Sequence, residues 1–156
     1  MSSTSPTIEG PLANGAATRP REAAAAIMVV DDSGLSRRMM RRILEGAGHA
    51  VVEYADGASA LARYEIEKPA LVVLDLVMTG MYGLDVLIEL RRRHPDARVI
   101  VASADVQRAT RDEVMKAGAI GFVSKPFVAD AVIAAVDAAL GPGDQTAAAD
   151  PSGGAR

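Results

Sequence analysis

At 156 residues the chain has room for one ordinary domain with its own core and short tails, and two domains would be crowded. About half of the residues are apolar and 24% are charged, the balance of a folded globular protein, which excludes disorder through the middle of the chain. A formal net charge of −3 gives no general pull toward nucleic acid or an anionic membrane, and the absence of cysteine removes disulfides, thiol catalysis and thiolate metal sites.

Residues 1–25 are rich in Ser, Thr, Pro, Gly and Ala, lack a sustained apolar period and lack the basic-then-apolar order of a secretory signal. They are expected to form a flexible tail, partly helical over 22–26. The domain is expected over 26–141, opening with the apolar run IMVV, a first strand ended by Asp31 and Asp32. Residues 33–45 read as a helix whose Leu35, Met39, Met40, Ile43, Leu44 and Ala47 share one half of the wheel, with Arg37, Arg38, Arg41, Arg42 and Glu45 on the other. Gly46 and Gly48 end it. A short strand over 50–54, a turn at Ala55-Asp56-Gly57 and a helix over 58–67 follow, and Pro69 stops that helix.

The run from Leu71 to Asp75 is a third strand, continuously apolar as a buried parallel strand should be, and it delivers a carboxylate to its own carboxyl end. After Gly83, LDVLIELRRR makes a helix with cations in its last turn, where they favour the helix dipole. A fourth strand over 98–103 precedes a helix over 106–117 that Asp105 is placed to cap, with Gly118 as its stop. The fifth strand, 120–124, leads through Lys125-Pro126-Phe127 to a last helix over 128–140. Residues 142–156 read as a second flexible tail. No apolar run approaches the roughly 20 residues needed to cross a bilayer. Strands and helices alternate five times, which predicts a three-layer, doubly wound α/β domain with a five-stranded parallel sheet.

Laid parallel, these strands bring Asp31, Asp32, Asp75, Ser103 and Lys125 to one sheet edge, the side on which open α/β sheets bind ligands. Each residue alone is an ordinary cap or loop residue. Five of them on four strands form a constellation. Carboxylates crowded into one crevice shift their pKa values or recruit a cation, and an all-oxygen site suits a hard ion such as Mg²⁺. A lysine and a hydroxyl beside that ion complete the parts needed to bind and neutralise a phosphoryl group.

With these pieces in place, the chain resembles the receiver domain of two-component response regulators. The resemblance rests on Asp31-Asp32 after the first strand, Asp75 followed by Met78 and Gly83, Ser103-Ala104 after the fourth strand, and Lys125-Pro126-Phe127 after the fifth. It implies a flavodoxin-like fold with sheet order 2-1-3-4-5. It implies that Asp75 accepts a phosphoryl group from the phosphohistidine of a histidine kinase or histidine phosphotransfer protein. Asp31, Asp32, Asp75 and the main-chain carbonyl of Val77 would hold Mg²⁺, and Lys125 would pair with phosphoryl oxygens. Ser103 and Phe122 would form the switch, and the Lys125-Pro126 bond would be cis. The resemblance points to a cytoplasmic, stand-alone signalling module rather than an enzyme, limited to self-phosphorylation from phosphodonors and slow autodephosphorylation, whose output is protein interaction with an unidentified target.

Three positions depart from the family pattern. Thr79 stands where the family usually has proline, which should loosen the loop after Asp75. Tyr82 stands where aspartate is frequent. Val77 is apolar where many relatives are polar and so cannot orient an attacking water, which predicts a comparatively long-lived phospho-Asp75. Two rival readings are an aspartate-nucleophile phosphohydrolase, which would need an acidic residue where Val77 stands, and a degenerate receiver acting as an adaptor without phosphorylation.

The four arginines of the first helix are either a solvated face or a docking site for a kinase or phosphotransfer helix bundle. No DNA-reading motif accompanies them, so nucleic acid is not an expected partner. On the last helix, Ala129, Val132, Ile133, Val136 and Leu140 define the expected core side. Ala131, Ala134, Ala135 and Ala138 face outward, a candidate surface for a homodimer. His49 and His94 have no companions at ligand spacing and are assigned no function.

Overall fold

The computed structural model describes residues 25–105 and 107–145. The two expected tails therefore lie almost wholly outside the described residues, as does Val106. Five short, apolar strands form the centre: β1 (Ile27–Val30), β2 (Val51–Tyr54), β3 (Leu71–Asp75), β4 (Val99–Ser103) and β5 (Gly121–Ser124). All pair in parallel in the order β2-β1-β3-β4-β5. The chain steps from β1 out to β2 and then back across β1 to β3, and this reversal opens a crevice at the carboxyl ends of β1 and β3.

The connecting helices are α1 (Gly34–Gly46), α2 (Gly57–Glu67), α3 (Gly83–Arg93), α4 (Arg108–Lys116) and α5 (Ala129–Gln145). Two of the starts are capped by a side chain. Ser33 caps α1 by accepting from the Ser36 N–H at 3.2 Å, and Asp56 caps α2 by accepting from the Ser59 N–H at 2.7 Å. Lys68 takes a left-handed conformation (φ 46°) that ends α2 just before Pro69.

Alternate residues of each strand feed two cores, one per sheet face. Ile27, Val29, Leu71, Val73, Ile100 and Ala102 pack with Met40 and Leu44 of α1 and Val132 and Val136 of α5. Met28, Val30, Val72, Leu74, Val99 and Val101 pack with residues of α2, α3 and α4. This alternation decides which side chains reach the sheet edge. Asp31 continues the row of Ile27 and Val29, Asp75 that of Leu71 and Val73, and Lys125 that of Val123, whereas Ser103 continues the opposite row of Val99 and Val101.

The structure differs from the sequence-based expectation at several points. Leu35 and Met39 were assigned to the buried half of the first helix, yet they stand 62% and 39% exposed. A helix laid on a sheet buries a stripe narrower than half its circumference, and Met40 and Leu44, flanked by Ile43, fill it. Ala129, expected on the core side of the last helix, is exposed, while Ala135, expected to face outward, packs against the core. Asp105 acts one turn before α4 rather than as its cap. Its carboxylate accepts from the Gln107 N–H (3.0 Å) and the Thr110 hydroxyl (2.8 Å), and the cap position falls to Gln107. After a break at Gly141 (φ 79°), α5 continues to Gln145, into the expected tail.

Candidate functional site: an acidic crevice at the sheet edge

Among the described residues, the buried polar or charged side chains are Asp31, Asp75 and Ser103, and all three stand at the carboxyl edge of the sheet. Burying a carboxylate is costly unless it is paired, so the partners of these groups are the first question. Lys125 answers it. Its Nζ lies 3.0 Å from Asp31 Oδ2 and 3.1 Å from Asp75 Oδ1, a bridge between strands β1, β3 and β5. Asp31 Oδ1 also accepts from the Ser33 N–H at 2.9 Å, and the Val77 N–H donates to Asp75. Lys125 itself is fixed by the β5–α5 turn, where its own N–H donates to the Ser103 carbonyl (3.0 Å) and the Lys125-Pro126 peptide is cis.

Close approach of the next helix completes the crevice. Gly83 opens α3 with its N–H donating to the Leu76 carbonyl at 2.8 Å. A Cβ on Gly83 would fall 2.7 Å from Leu76 Cα and against the Asp75 carbonyl, so only glycine lets the chain turn back this tightly. The loop between, 76–82, presents Val77, which is 65% exposed.

Asp31, Asp32 and Asp75 each offer a carboxylate oxygen, and these oxygens lie within 4.8 Å of one another. Asp32 differs from the other two in being exposed. Its Oδ2 accepts both the Thr79 N–H (2.8 Å) and the Thr79 hydroxyl (2.9 Å), bonds that hold its carboxyl below the usual aspartate value. Burial, together with the charge of Asp31, pushes the Asp75 carboxyl up against the opposing pull of Lys125. Burial alone would lower Lys125, but its hydrogen bonds to Asp31 and Asp75 outweigh that and raise it. One fixed cation thus faces three carboxylates. The donor set is all oxygen, partly dehydrated and short of positive charge, which fits a hard divalent ion such as Mg²⁺.

The two expected switch residues sit on neighbouring strands. Ser103 ends β4, where its hydroxyl accepts the Asp105 N–H at 2.9 Å. Phe122 lies on β5 opposite Val101, which places it on the same sheet face as Ser103. Its ring is half-buried, and the Arg111 guanidinium of α4 stands 5.0 Å above the ring centroid.

Four of the five expected residues, Asp31, Asp32, Asp75 and Lys125, thus meet in one cluster, while Ser103 stands at the same sheet edge at the end of β4. What the sequence reading missed is Thr79, which appeared only as a lost proline. Its N–H is a donor proline lacks, and it anchors the loop to Asp32 rather than simply freeing it. Tyr82 begins α3 with no side-chain cap, the consequence of losing a short acidic residue there. The first-helix arginines also divide. Arg37 and Arg41 turn back onto Glu53 of β2, whereas Arg38 and Arg42 remain exposed and line a shallow groove with Leu35, Met39 and Ile43.

Comparison with known proteins agrees with this geometry. Residues 27–137 match the family model described as the response regulator receiver domain. The chain is 37% identical over 112 residues to the chemotaxis protein CheY of Thermotoga maritima, covering 71% of this chain and 93% of that one. Among solved structures, the receiver domain of NtrX from Brucella abortus superposes with a TM-score of 0.70 at 35% identity, covering 73% of this chain and 97% of that one. A response regulator from Burkholderia pseudomallei, solved with a phosphorylated aspartic acid, calcium ion and citrate, gives 0.67 at 28% identity, covering 74% and 68%.

Proposed function

The chain belongs to the response regulator receiver domain family, and from that premise we propose that it is a cytoplasmic receiver of a two-component or phosphorelay system, with Asp75 as its phosphoacceptor. The observation that carries this reading is the Lys125 ammonium bridging two buried carboxylates at the edge of the sheet. An Asp75 carboxylate oxygen forms the new bond to phosphorus as the bond from phosphorus to the donor histidine's nitrogen breaks. Burial raises the free energy of the charged Asp75 before transfer, and Lys125 stands ready to exchange a carboxylate partner for a phosphoryl oxygen. Asp31, Asp32, Asp75 and the Val77 carbonyl would hold Mg²⁺, which supplies positive charge to the transferring group.

The message leaves the site through Ser103 and Phe122. Moving an inactive:active ratio from 1:99 to 99:1 requires roughly 5.5 kcal/mol of differential binding. Hydrogen bonds to a charged group contribute about 1.5–3 kcal/mol each, so Ser103, Lys125 and one backbone amide suffice. Ser103 drawn toward the phosphoryl group makes room on its sheet face for the Phe122 ring. The target is read as a protein that meets the face made by α4, β5 and α5, where Met115, Ile120 and Val128 stand exposed. The incoming kinase or phosphotransfer helix bundle docks on α1, at the groove between Arg38 and Arg42.

A single labelling experiment tests these roles. With MgCl₂ and acetyl phosphate, mass spectrometry should show one phosphoryl adduct that disappears in Asp75→Asn. Persistence of the adduct in that variant would reject Asp75 as acceptor. After removal of the donor, Val77→Asn should lose the adduct several-fold faster than the wild type, since its amide can orient water where an exposed valine cannot. When a phosphohistidine protein replaces acetyl phosphate, reversing the charge of Arg38 and Arg42 should slow transfer without altering labelling by the small donor.

A further inference from the structure

We infer that Thr79 is a positioning residue for the divalent cation, fixing the Asp32 carboxylate so that one of its oxygens is presented to the cluster. The inference rests on the reading that Asp31, Asp32 and Asp75 hold Mg²⁺. Two of these carboxylates are already ordered without help. Asp31 is buried between the Ser33 N–H and Lys125, and Asp75 is part of β3 and is held by Lys125. Asp32 is exposed, two residues beyond β1, and an exposed aspartate otherwise samples several rotamers.

Thr79 removes that freedom. Both of its donors, the backbone N–H and the hydroxyl, converge on the single oxygen Oδ2, at 2.8 and 2.9 Å. An oxygen that accepts two hydrogen bonds has both lone pairs engaged, which leaves the other oxygen, Oδ1, with its own lone pairs for a metal. One oxygen per carboxylate is what a small octahedral ion takes. The pair also spans 47 positions in sequence and ties the loop after β1 to the loop after β3. The loop that carries Asp31 and Asp32 is therefore held in register with the loop that follows Asp75 before any cation arrives. Partners of metal ligands generally act this way, and their loss typically weakens metal binding 10- to 100-fold. Thr79→Val keeps the shape and the backbone donor and removes only the hydroxyl. The expected loss is correspondingly smaller, about 3- to 10-fold.

The test is a titration of the full-length protein with MgCl₂, followed by amide chemical shifts in NMR, for wild type, Thr79→Val, Thr79→Ser and Thr79→Pro. Thr79 is exposed, so the metal-free melting temperatures of the valine and serine variants should match the wild type. The dissociation constant should rise 3- to 10-fold in Thr79→Val and stay within about twofold in Thr79→Ser. It should rise furthest in Thr79→Pro, which lacks both donors. Equal affinity in Thr79→Val would overturn the positioning role, and tighter binding would show instead that Thr79 competes with the cation for Asp32. A wild-type protein that fails to bind Mg²⁺ at all sinks the cation reading, and this inference with it.

Discussion

The flank formed by α1 and β2 and the carboxyl edge of the sheet both bring charged side chains into hydrogen-bonding distance, but they balance them differently. On the flank, Arg37 meets Glu53 at 3.1 Å, and Arg41 meets Glu53 at 2.5 Å and Glu45 at 3.0 Å, so two cations face two anions. The groups are partly solvated and their charge is spent within the cluster. At the sheet edge, three carboxylates face the single ammonium of Lys125, and two of those carboxylates are buried. The first arrangement holds α1 against β2 and has no charge left over. The second keeps an excess of negative charge out of water, which is a cost in the absence of a ligand and an affinity in its presence.

Removing the one cation from the unbalanced cluster should therefore have the largest effect. Lys125→Met leaves Asp31 and Asp75 facing each other with nothing between them. Breaking a fully buried pair costs about 3–5 kcal/mol; with Lys125 still 21% exposed, roughly 2–3 kcal/mol is expected here. Urea denaturation in chelator should show that loss, and MgCl₂ should return part of it by supplying the missing charge. A variant as stable as wild type in chelator would mean that the crevice is less strained than its geometry implies.

The opposite substitution relieves the cluster. Because the Asp75 carboxyl is raised in the folded protein, the native state binds more protons than the unfolded chain between the ordinary value of 3.8 and the raised one. Stability thus falls as pH rises through that window, and at neutral pH the wild type carries the full penalty. Asp75→Asn carries none. Without Mg²⁺ it should be more stable than wild type at pH 7 by about 1–2 kcal/mol, an advantage that shrinks as pH falls from the raised value toward 3.8 and is gone below it. Thermal melts across pH 3–8 would check both the sign and the window. An advantage that grew on acidification would contradict the raised carboxyl.

How much of this contrast could be read from sequence depended on whether the contacts follow strand direction or strand neighbours. The convergence of Asp31, Asp75, Ser103 and Lys125 needed only parallel strands, since each residue lies at or just past a strand's end. The pairing of Arg37 and Arg41 with Glu53 needed the register of β2 against β1, in which Val29 lies opposite Glu53, and four arginines on one helix face read as equivalent without it. The Thr79 bonds to Asp32 were hidden for the same reason, lying between loops 47 residues apart. Leu35 and Met39 were misplaced because a wheel shows which residues share a side, not how wide a stripe the sheet will cover.

The balanced flank should give the smallest effect, and of the opposite pH dependence. Hydrogen bonds from Arg41, and then from Arg37, hold the Glu53 carboxyl below its ordinary value of 4.5. The unfolded chain therefore binds the proton first as pH falls, and the stability Glu53 contributes is fully present above 4.5 and lost as pH drops through its lower, folded value. Glu53→Gln should cost at most about 1 kcal/mol at neutral pH, because these pairs are partly exposed. That cost should shrink in 1 M NaCl, where screening reaches within about 3 Å, and vanish at acid pH. Denaturation of Glu53→Gln alongside Lys125→Met at two salt concentrations would test the contrast directly. The flank should respond to NaCl but not to Mg²⁺, whereas the sheet edge should respond to Mg²⁺ far more than to an equal ionic strength of NaCl. If both clusters answered only to ionic strength, the difference between a spent and an unspent cluster would disappear.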